Sequence, residues 1–492
     1  MKTSEIIVFI VYLLCMLGIG IFFFVKNRNG GEKTYFLGGR EMGPWVAALS
    51  AGASDMSAWV LMGLPTSIYA LGLGQVWIPV GLAIGYTISW LLEAPRLRKF
   101  SIVANDSITI PQYLTNRFLS KSLALQVICA IVFLVAYTIY AASSVKACGT
   151  LFHTVIGMDP QIAMYLAAVV IVGYTFLGGF SAVCWTDFFQ GMLVLGSMFI
   201  APIFAAFMLD TSSTSALPGG YLNPFSSWQD IVSGLAWGLG YFGMPHILLR
   251  FMGTEDENKL KLSRRIATIW VIISMFIAIF IGIIGYSISK AGHIPAFTDS
   301  SQSETLIIKI AMLLSNHGVI AIIFAGIILA GILACTMSTS DSQLLAASSS
   351  VSHNLLHDVL HIELSEKASM LVARITVICI AVIGVFIARD PESSVFAIVS
   401  FAWAGFGASF GPIMLFSLFW KRTNRNGALA GMLVGGIMVF VWKYLIKPLG
   451  GIWGIYELLP AFLCACIAIV VVSLLTAPPS KEIIEEFESV GK

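Results

Sequence analysis

One carboxylate stands out in the stretch Leu49-Ser-Ala-Gly-Ala-Ser-Asp-Met-Ser-Ala-Trp-Val-Leu-Met-Gly-Leu-Pro65. The stretch lies inside an apolar run of helix length, Trp45 to about Leu71, yet Asp55 at its centre is ionisable. Ser54 and Ser57 flank it with hydroxyls, and Ala51, Gly52 and Ala53 are small. A carboxylate at mid-bilayer costs at least ~2.5–3.5 kcal/mol, so it faces a partner or a cavity rather than lipid. Small neighbours let the backbone unwind and turn its carbonyls inward, and non-helical backbone at membrane depth is tolerated only where it lines protein or a watery site. Such a segment offers oxygens to a hard cation, and the N–H groups of an exposed half-helix N-terminus to a carboxylate. The expectation is a broken helix that binds a cation and a small solute. The competing reading is a buried Asp that only caps a kink.

Further residues carry weaker signals. Ser338-Thr339, followed by Ser340-Asp341-Ser342, puts two adjacent hydroxyls in an apolar run. They suit sodium, which prefers oxygen ligands, or they simply bond their own i−4 carbonyls. Asp187, in Trp185-Thr-Asp-Phe-Phe-Gln190, opens another apolar run, either lining an ion exit path or complementing a helix dipole. Trp237, Tyr241 and Pro245 recur every four residues, which on an α-helix is one face, for solute or for packing. Tyr140 reads the same way, with packing favoured. His353, His357 and His361 have metal-ligand spacing, but the segment reads rather as an amphipathic cytoplasmic helix.

The elements that must position these residues are membrane spans. Of 492 residues, 58% are hydrophobic and 11% charged, with mean hydropathy +0.89, the composition of a polytopic membrane protein. A formal net charge of +2 argues against a nucleic-acid partner. The eight cysteines all lie in apolar runs without a C-x-x-C pair, which disfavours disulfides and zinc. No G-x-x-x-x-G-K-[ST] is present to cradle ATP phosphates, so uphill transport would draw on an ion gradient or a separate subunit. The N-terminus reads as a retained first helix rather than a signal peptide.

The apolar runs predict an all-α protein with about thirteen spans. The second is broken at Asp55, and the seventh is interrupted through Trp237-Gly-Leu-Gly-Tyr-Phe-Gly-Met-Pro245. A further break is expected near Asn316-His-Gly318. Two interrupted spans five apart, running in opposite directions, point to an inverted repeat with the site between them. One transmembrane domain is expected over residues 1–480, with repeats at about 45–210 and 228–447, followed by a soluble cytoplasmic tail at 481–492. Lys and Arg concentrate in the loops after spans 1, 3, 7 and 11, which puts the N-terminus outside and the C-terminus in the cytoplasm.

Longer motifs add a family. Tyr35-Phe-Leu-Gly-Gly-Arg40, Leu49 to Ser57, Trp237-Gly-Leu-Gly-Tyr-Phe-Gly243, Pro245-His-Ile, Met337-Ser-Thr339, Phe401-Ala-Trp-Ala-Gly-Phe-Gly-Ala408 and Asn426-Gly-Ala-Leu-Ala-Gly431 resemble the sodium:solute symporter family, in particular its proline-carrying branch. Gly178-Gly-Phe180 with Trp185-Thr-Asp187 resembles the wider family signature. The resemblance implies a leucine-transporter-like fold with an inverted repeat of five and five helices. It implies secondary active symport of L-proline with Na+ across the plasma or inner membrane by alternating access, with no enzyme activity and no cofactor beyond the coupling ion. It implies a sodium site of the carbonyls of Ala53, Met56 and Cys335 and the hydroxyls of Ser338 and Thr339, with Asp55 needed for sodium. Ser57, Tyr140, Trp237, Tyr241 and Pro245 would serve proline, while Arg40 and Asp187 match positions tied to transport and the inner ion path.

Two positions depart from the pattern. Ala58 replaces a usual Gly and would narrow the solute pocket; Cys335 replaces a usual Ala, which a backbone ligand tolerates. The rival readings are a symporter for another amino acid, pantothenate or a sugar, a sensor on the same fold, which the short tail after Leu475 disfavours, and a channel.

Overall fold

A computed structural model describes residues 3–490 apart from 27–31, 121–123, 176–178, 210–216, 352–354, 357–361, 363–364 and 391–393. The described residues form no β-strand, only one isolated bridge between Met42 and Thr254. His353, His357 and His361 lie outside the described residues.

After α1 (Thr3–Lys26), the first interrupted span comprises α2 (Pro44–Asp55) and α3 (Leu64–Leu71). Pro44 opens α2 from an extended Gly43, a place where the missing proline N–H is no loss. Met56 leaves the helix at φ −79°, ψ 73°. A π-helical turn, Trp59–Gly63, then restarts the chain. Next come α4 (Trp77–Ile88), α5 (Ala94–Val103), α6 (Ile110–Arg117), α7 (Ala124–Ile156), α8 (Pro160–Thr175) and α9 (Phe180–Phe207). The second interrupted span joins α10 (Trp228–Ala236) to α11 (Pro245–Gly253) through a 3-10 turn, Trp237–Gly243, with a bend of 49°. The chain continues through α12 (Leu260–Lys290), α13 (Leu306–Leu314), α14 (Val319–Ser349), α15 (Glu366–Ala388), α16 (Val395–Phe419), α17 (Arg425–Val441), α18 (Leu458–Leu475) and α19 (Lys481–Val490). The break expected near Asn316 separates α13 from α14, where Gly318 takes φ 100°.

Among the described residues, ten helical runs are long and apolar enough to cross a membrane, eleven if the bent pair counts as one. The figure differs from thirteen for visible reasons. Trp59–Val103 counts as a single run although Gly72, at φ 77°, turns the chain within it. The twelve-residue α2 and the short apolar Pro160–Gly173 fall below the length needed.

Glycine lets the two interrupted spans approach their neighbours. A Cβ on Gly85 would sit 2.2 Å from the Gly238 carbonyl, so α4 crosses the 3-10 turn backbone to backbone. A Cβ on Gly240 would lie 2.0 Å from the Trp403 indole nitrogen, so any larger residue there displaces that ring. At the far end of the chain, the tail read as soluble is a docked helix. Ile483, Phe487 and Val490 of α19 are buried, and the Phe487 ring lies 4.9 Å from the Arg96 guanidinium and 5.2 Å from that of Arg117. The apolar stripe of this amphipathic segment is the reason.

Candidate functional site

The breaks face each other through Asp55. At the first, the i−4 ladder lapses: the amide of Ser57 donates to the Asp55 carbonyl at 2.9 Å and that of Val60 to Ser57 at 3.1 Å. Residues 53–58 are all buried. From α14, the Ser338 hydroxyl donates to the Ala53 carbonyl at 2.9 Å and is 3.2 Å from the Cys335 carbonyl, to which Thr339 donates at 3.0 Å. Two carbonyl and two hydroxyl oxygens from α2 and α14 therefore cluster in the protein interior. Met56, the last residue whose amide closes a turn of α2, bonds Gly52 at 2.9 Å. A cluster of neutral oxygens is the donor set a hard monovalent cation takes.

Asp55 Oδ2 accepts from the Tyr241 hydroxyl at 2.6 Å, tying one break to the other. Its Oδ1 is buried without a hydrogen-bond partner among the described residues, as are the hydroxyls of Ser57, Tyr140, Tyr86 and Tyr137. Buried polar atoms are nearly always paired, and these unpaired ones are available to a bound polar solute. Aromatic rings supply the apolar part. Tyr241 meets Tyr86 at 4.9 Å and Trp403 at 5.0 Å, both edge to face. Trp237 stacks on Tyr456 at 5.1 Å and Phe396 at 5.3 Å, and Trp403 donates its indole N–H to the Trp237 carbonyl at 2.9 Å.

Trp237, Tyr241 and Pro245 do not share a helix face as their spacing suggested. The 3-10 turn has about three residues per turn, so positions four apart diverge. Trp237 packs in the aromatic cluster, Tyr241 turns to Asp55, and Pro245 follows an extended Met244 as the first residue of α11. Ala58 is buried at the head of the π turn.

Further along α14, Asp187 joins a charged cluster with Arg250, which the sequence reading left out. Asp187 on α9 accepts from Arg250 on α11 at 3.0 Å, from Ser50 on α2 at 2.8 Å and from Ser342 on α14 at 3.3 Å. Arg250 also donates to the His246 carbonyl at 2.7 Å and to Ser342 at 2.5 Å. Asp341 is buried nearby with neither carboxylate oxygen hydrogen-bonded among the described residues. The missed signal was Arg250 itself, a lone arginine in an apolar run: a charge buried in a membrane span needs an opposite one. Arg40 sits elsewhere. It takes φ 61° and clamps the chain by donating to the Met252 carbonyl at 2.6 Å, the Ser107 carbonyl at 2.8 Å, Ser101 at 3.0 Å and Asp106 at 3.1 Å. Partial burial pushes the Asp106 carboxyl up, but the hydrogen bond from Lys33 and the charge of Arg40 outweigh it and hold it below its usual range.

Two opposed helix breaks that share a buried carboxylate, beside a cluster of cation-seeking oxygens, define a secondary transporter of the leucine-transporter-like fold. The same fold is seen in a Na+-coupled sialic acid symporter in a substrate-bound outward-open state, at TM-score 0.80 and 20% identity over 98% of this chain and 99% of that one. A nucleobase-cation-symport-1 family transporter in a closed conformation is more distant, at TM-score 0.55 and 14% identity over 92% of this chain and 98% of that one. The profile of the sodium:solute symporter family matches residues 35–435, and the chain belongs to that family. Curated relatives include the sodium/proline symporters of Haemophilus influenzae, 40% identical over 99% of this chain and 98% of theirs, and Escherichia coli, 38% over 99% and 96%. That of Staphylococcus aureus is 39% identical over 95% and 92%.

Proposed function

We propose that this chain imports L-proline together with Na+ by alternating access, as a multi-pass protein of the plasma or inner membrane with its N-terminus outside and its C-terminus in the cytoplasm. The observation that carries the reading is the meeting of the Ala53 and Cys335 carbonyls with the Ser338 and Thr339 hydroxyls beside the Asp55 break. Sodium is held there, with Met56 contributing its carbonyl, and ties α2 to α14. Asp55 supplies the negative charge close by. Proline binds between the breaks, its charged ends on Ser57 and the unwound backbone, its ring against Tyr140, Trp237 and Tyr241, with Pro245 shaping the wall and Ala58 limiting its size. Because sodium orders the unwound segment that meets proline, each ligand favours the state that the other binds. Residues about 45–210 and 228–447 act as the two inverted repeats. Asp187 flanks the inner way out, since Ser342, one turn beyond Ser338, donates to it, and Arg40 holds the loops at that end.

Uptake of labelled proline into proteoliposomes, with and without an inward sodium gradient, tests the reading. Accumulation only with the gradient is expected. Uptake indifferent to sodium, or blocked by pantothenate or a sugar but not by unlabelled proline, overturns it.

A further inference from the structure

A cavity of about 610 Å³ lies at the C-terminal end of α7, away from both breaks. Lys146 and His153 of α7 and Lys309 of α13 line it, with Thr150, Thr154, Thr305 and Gln302 as further polar groups and no carboxylate. Met164, Phe297 and two prolines form its apolar wall. The Lys146 ammonium donates to the Asp390 carbonyl at 3.1 Å, which uses one of its three N–H groups. Lys309 enters no ion pair among the described residues. His153 is fixed by its Nδ1, which donates to the Met158 carbonyl at 2.5 Å.

The volume falls in the range of small-molecule pockets, about 300–1,000 Å³, which combine apolar walls with a few convergent polar groups. The lining itself carries two ammonium groups and no acid. The Asp390 and Glu304 carboxylates near Lys146 stand outside it, with Glu304 engaged by the Val395 and Phe396 amides. The cavity therefore favours an anion, and charge-assisted hydrogen bonds from lysine to a carboxylate are the strong kind. A zwitterion fits poorly, because its own ammonium would face two lysines. An inorganic ion alone would leave the Met164 and Phe297 wall uncovered. We propose that this cavity is a second binding site, for a small organic carboxylate with an apolar body, whose anionic end meets Lys146 and Lys309.

The test is calorimetric titration of the full-length protein in nanodiscs with benzoate, without sodium or proline, so that the outcome is independent of which solute is transported. Benzyl alcohol and inorganic phosphate serve as comparisons. Saturable benzoate binding is expected, roughly tenfold weaker in Lys146→Gln and in Lys309→Gln, as for loss of one charged hydrogen-bond donor. Benzyl alcohol is expected not to saturate, and Ala296→Trp, on the exposed rim, to abolish binding by filling the cavity. Lys309→Arg, which keeps the charge, is expected to retain it. Benzoate binding unmoved by both glutamine variants and by Ala296→Trp would overturn the site. Phosphate binding tighter than benzoate would overturn the organic class of ligand.

Discussion

Asp55 and Asp187 are both fully buried carboxylates in membrane helices, and their surroundings differ in kind. Asp187 has a cation of its own: Arg250 at 3.0 Å, with Ser50 and Ser342 completing the shell of the same oxygen. Asp55 has one neutral donor, Tyr241, and no cation paired with it among the described residues, although the Oδ1 of each carboxylate is left without a hydrogen bond there. The protein pairs one carboxylate internally and leaves the other short of positive charge beside a cluster of oxygens. On the proposed function, the difference separates a carboxylate already neutralised within the protein from one that a bound cation would neutralise.

Substitution puts that comparison under strain. The largest stability effect is expected at the internal pair. Removing one partner of a buried ion pair leaves an uncompensated charge, at about 3–5 kcal/mol, so Arg250→Gln and Asp187→Asn should each lower thermal stability in detergent sharply. The double variant Arg250→Met with Asp187→Asn should recover much of it; an additive loss would mean that the two residues are not a unit.

Asp55→Asn is expected to do the reverse: near-normal stability, because no positive partner is orphaned, with sodium-driven proline uptake lost. Wild-type sodium activation of uptake in that variant would place Asp55 with the capping carboxylates. A middle-sized effect is expected at Ser338→Ala and Thr339→Ala. Loss of one buried oxygen ligand is worth on the order of 1–3 kcal/mol, raising the sodium concentration for half-maximal uptake about tenfold. Unchanged sodium dependence in the double variant would make these hydroxyls simple i−4 bonders.

The smallest effect concerns Ala58. A methyl group in an apolar pocket is worth about 1–3 kcal/mol of discrimination. Ala58→Gly should strengthen inhibition of proline uptake by the larger ring homologue pipecolate, with proline transport kept. An unchanged inhibition ratio would take Ala58 out of the pocket wall.

Much of this was legible before any coordinates. An ionisable residue amid Gly, Ala and Ser in an apolar run announces a break because lipid tolerates neither the charge nor unpaired backbone, and the first break is where Asp55 placed it. The second was legible from Gly and Pro density. Its internal geometry was not, because spacing assumes a period and the segment takes a 3-10 turn in which Tyr241 and Trp237 part company. The pairing of Asp187 with Arg250 was hidden for a different reason: 63 residues separate them, and only the packing of α9 and of α11 on α2 brings them together. The docking of α19 was hidden likewise, since its acidic composition suggested solvent while the spacing of Ile483, Phe487 and Val490 held the apolar face.

The contrast between the two carboxylates is tested most directly by sodium-dependent thermal stabilisation of purified protein. A ligand that binds the native state stabilises it by about 2.7 kcal/mol at a hundred times its Kd. Wild type and Arg250→Gln should both gain stability as sodium replaces choline, each from its own baseline, while Asp55→Asn should gain none. A full sodium shift in Asp55→Asn, with the shift lost in Arg250→Gln, would contradict the assignment and make Asp187 the carboxylate that answers to the ion.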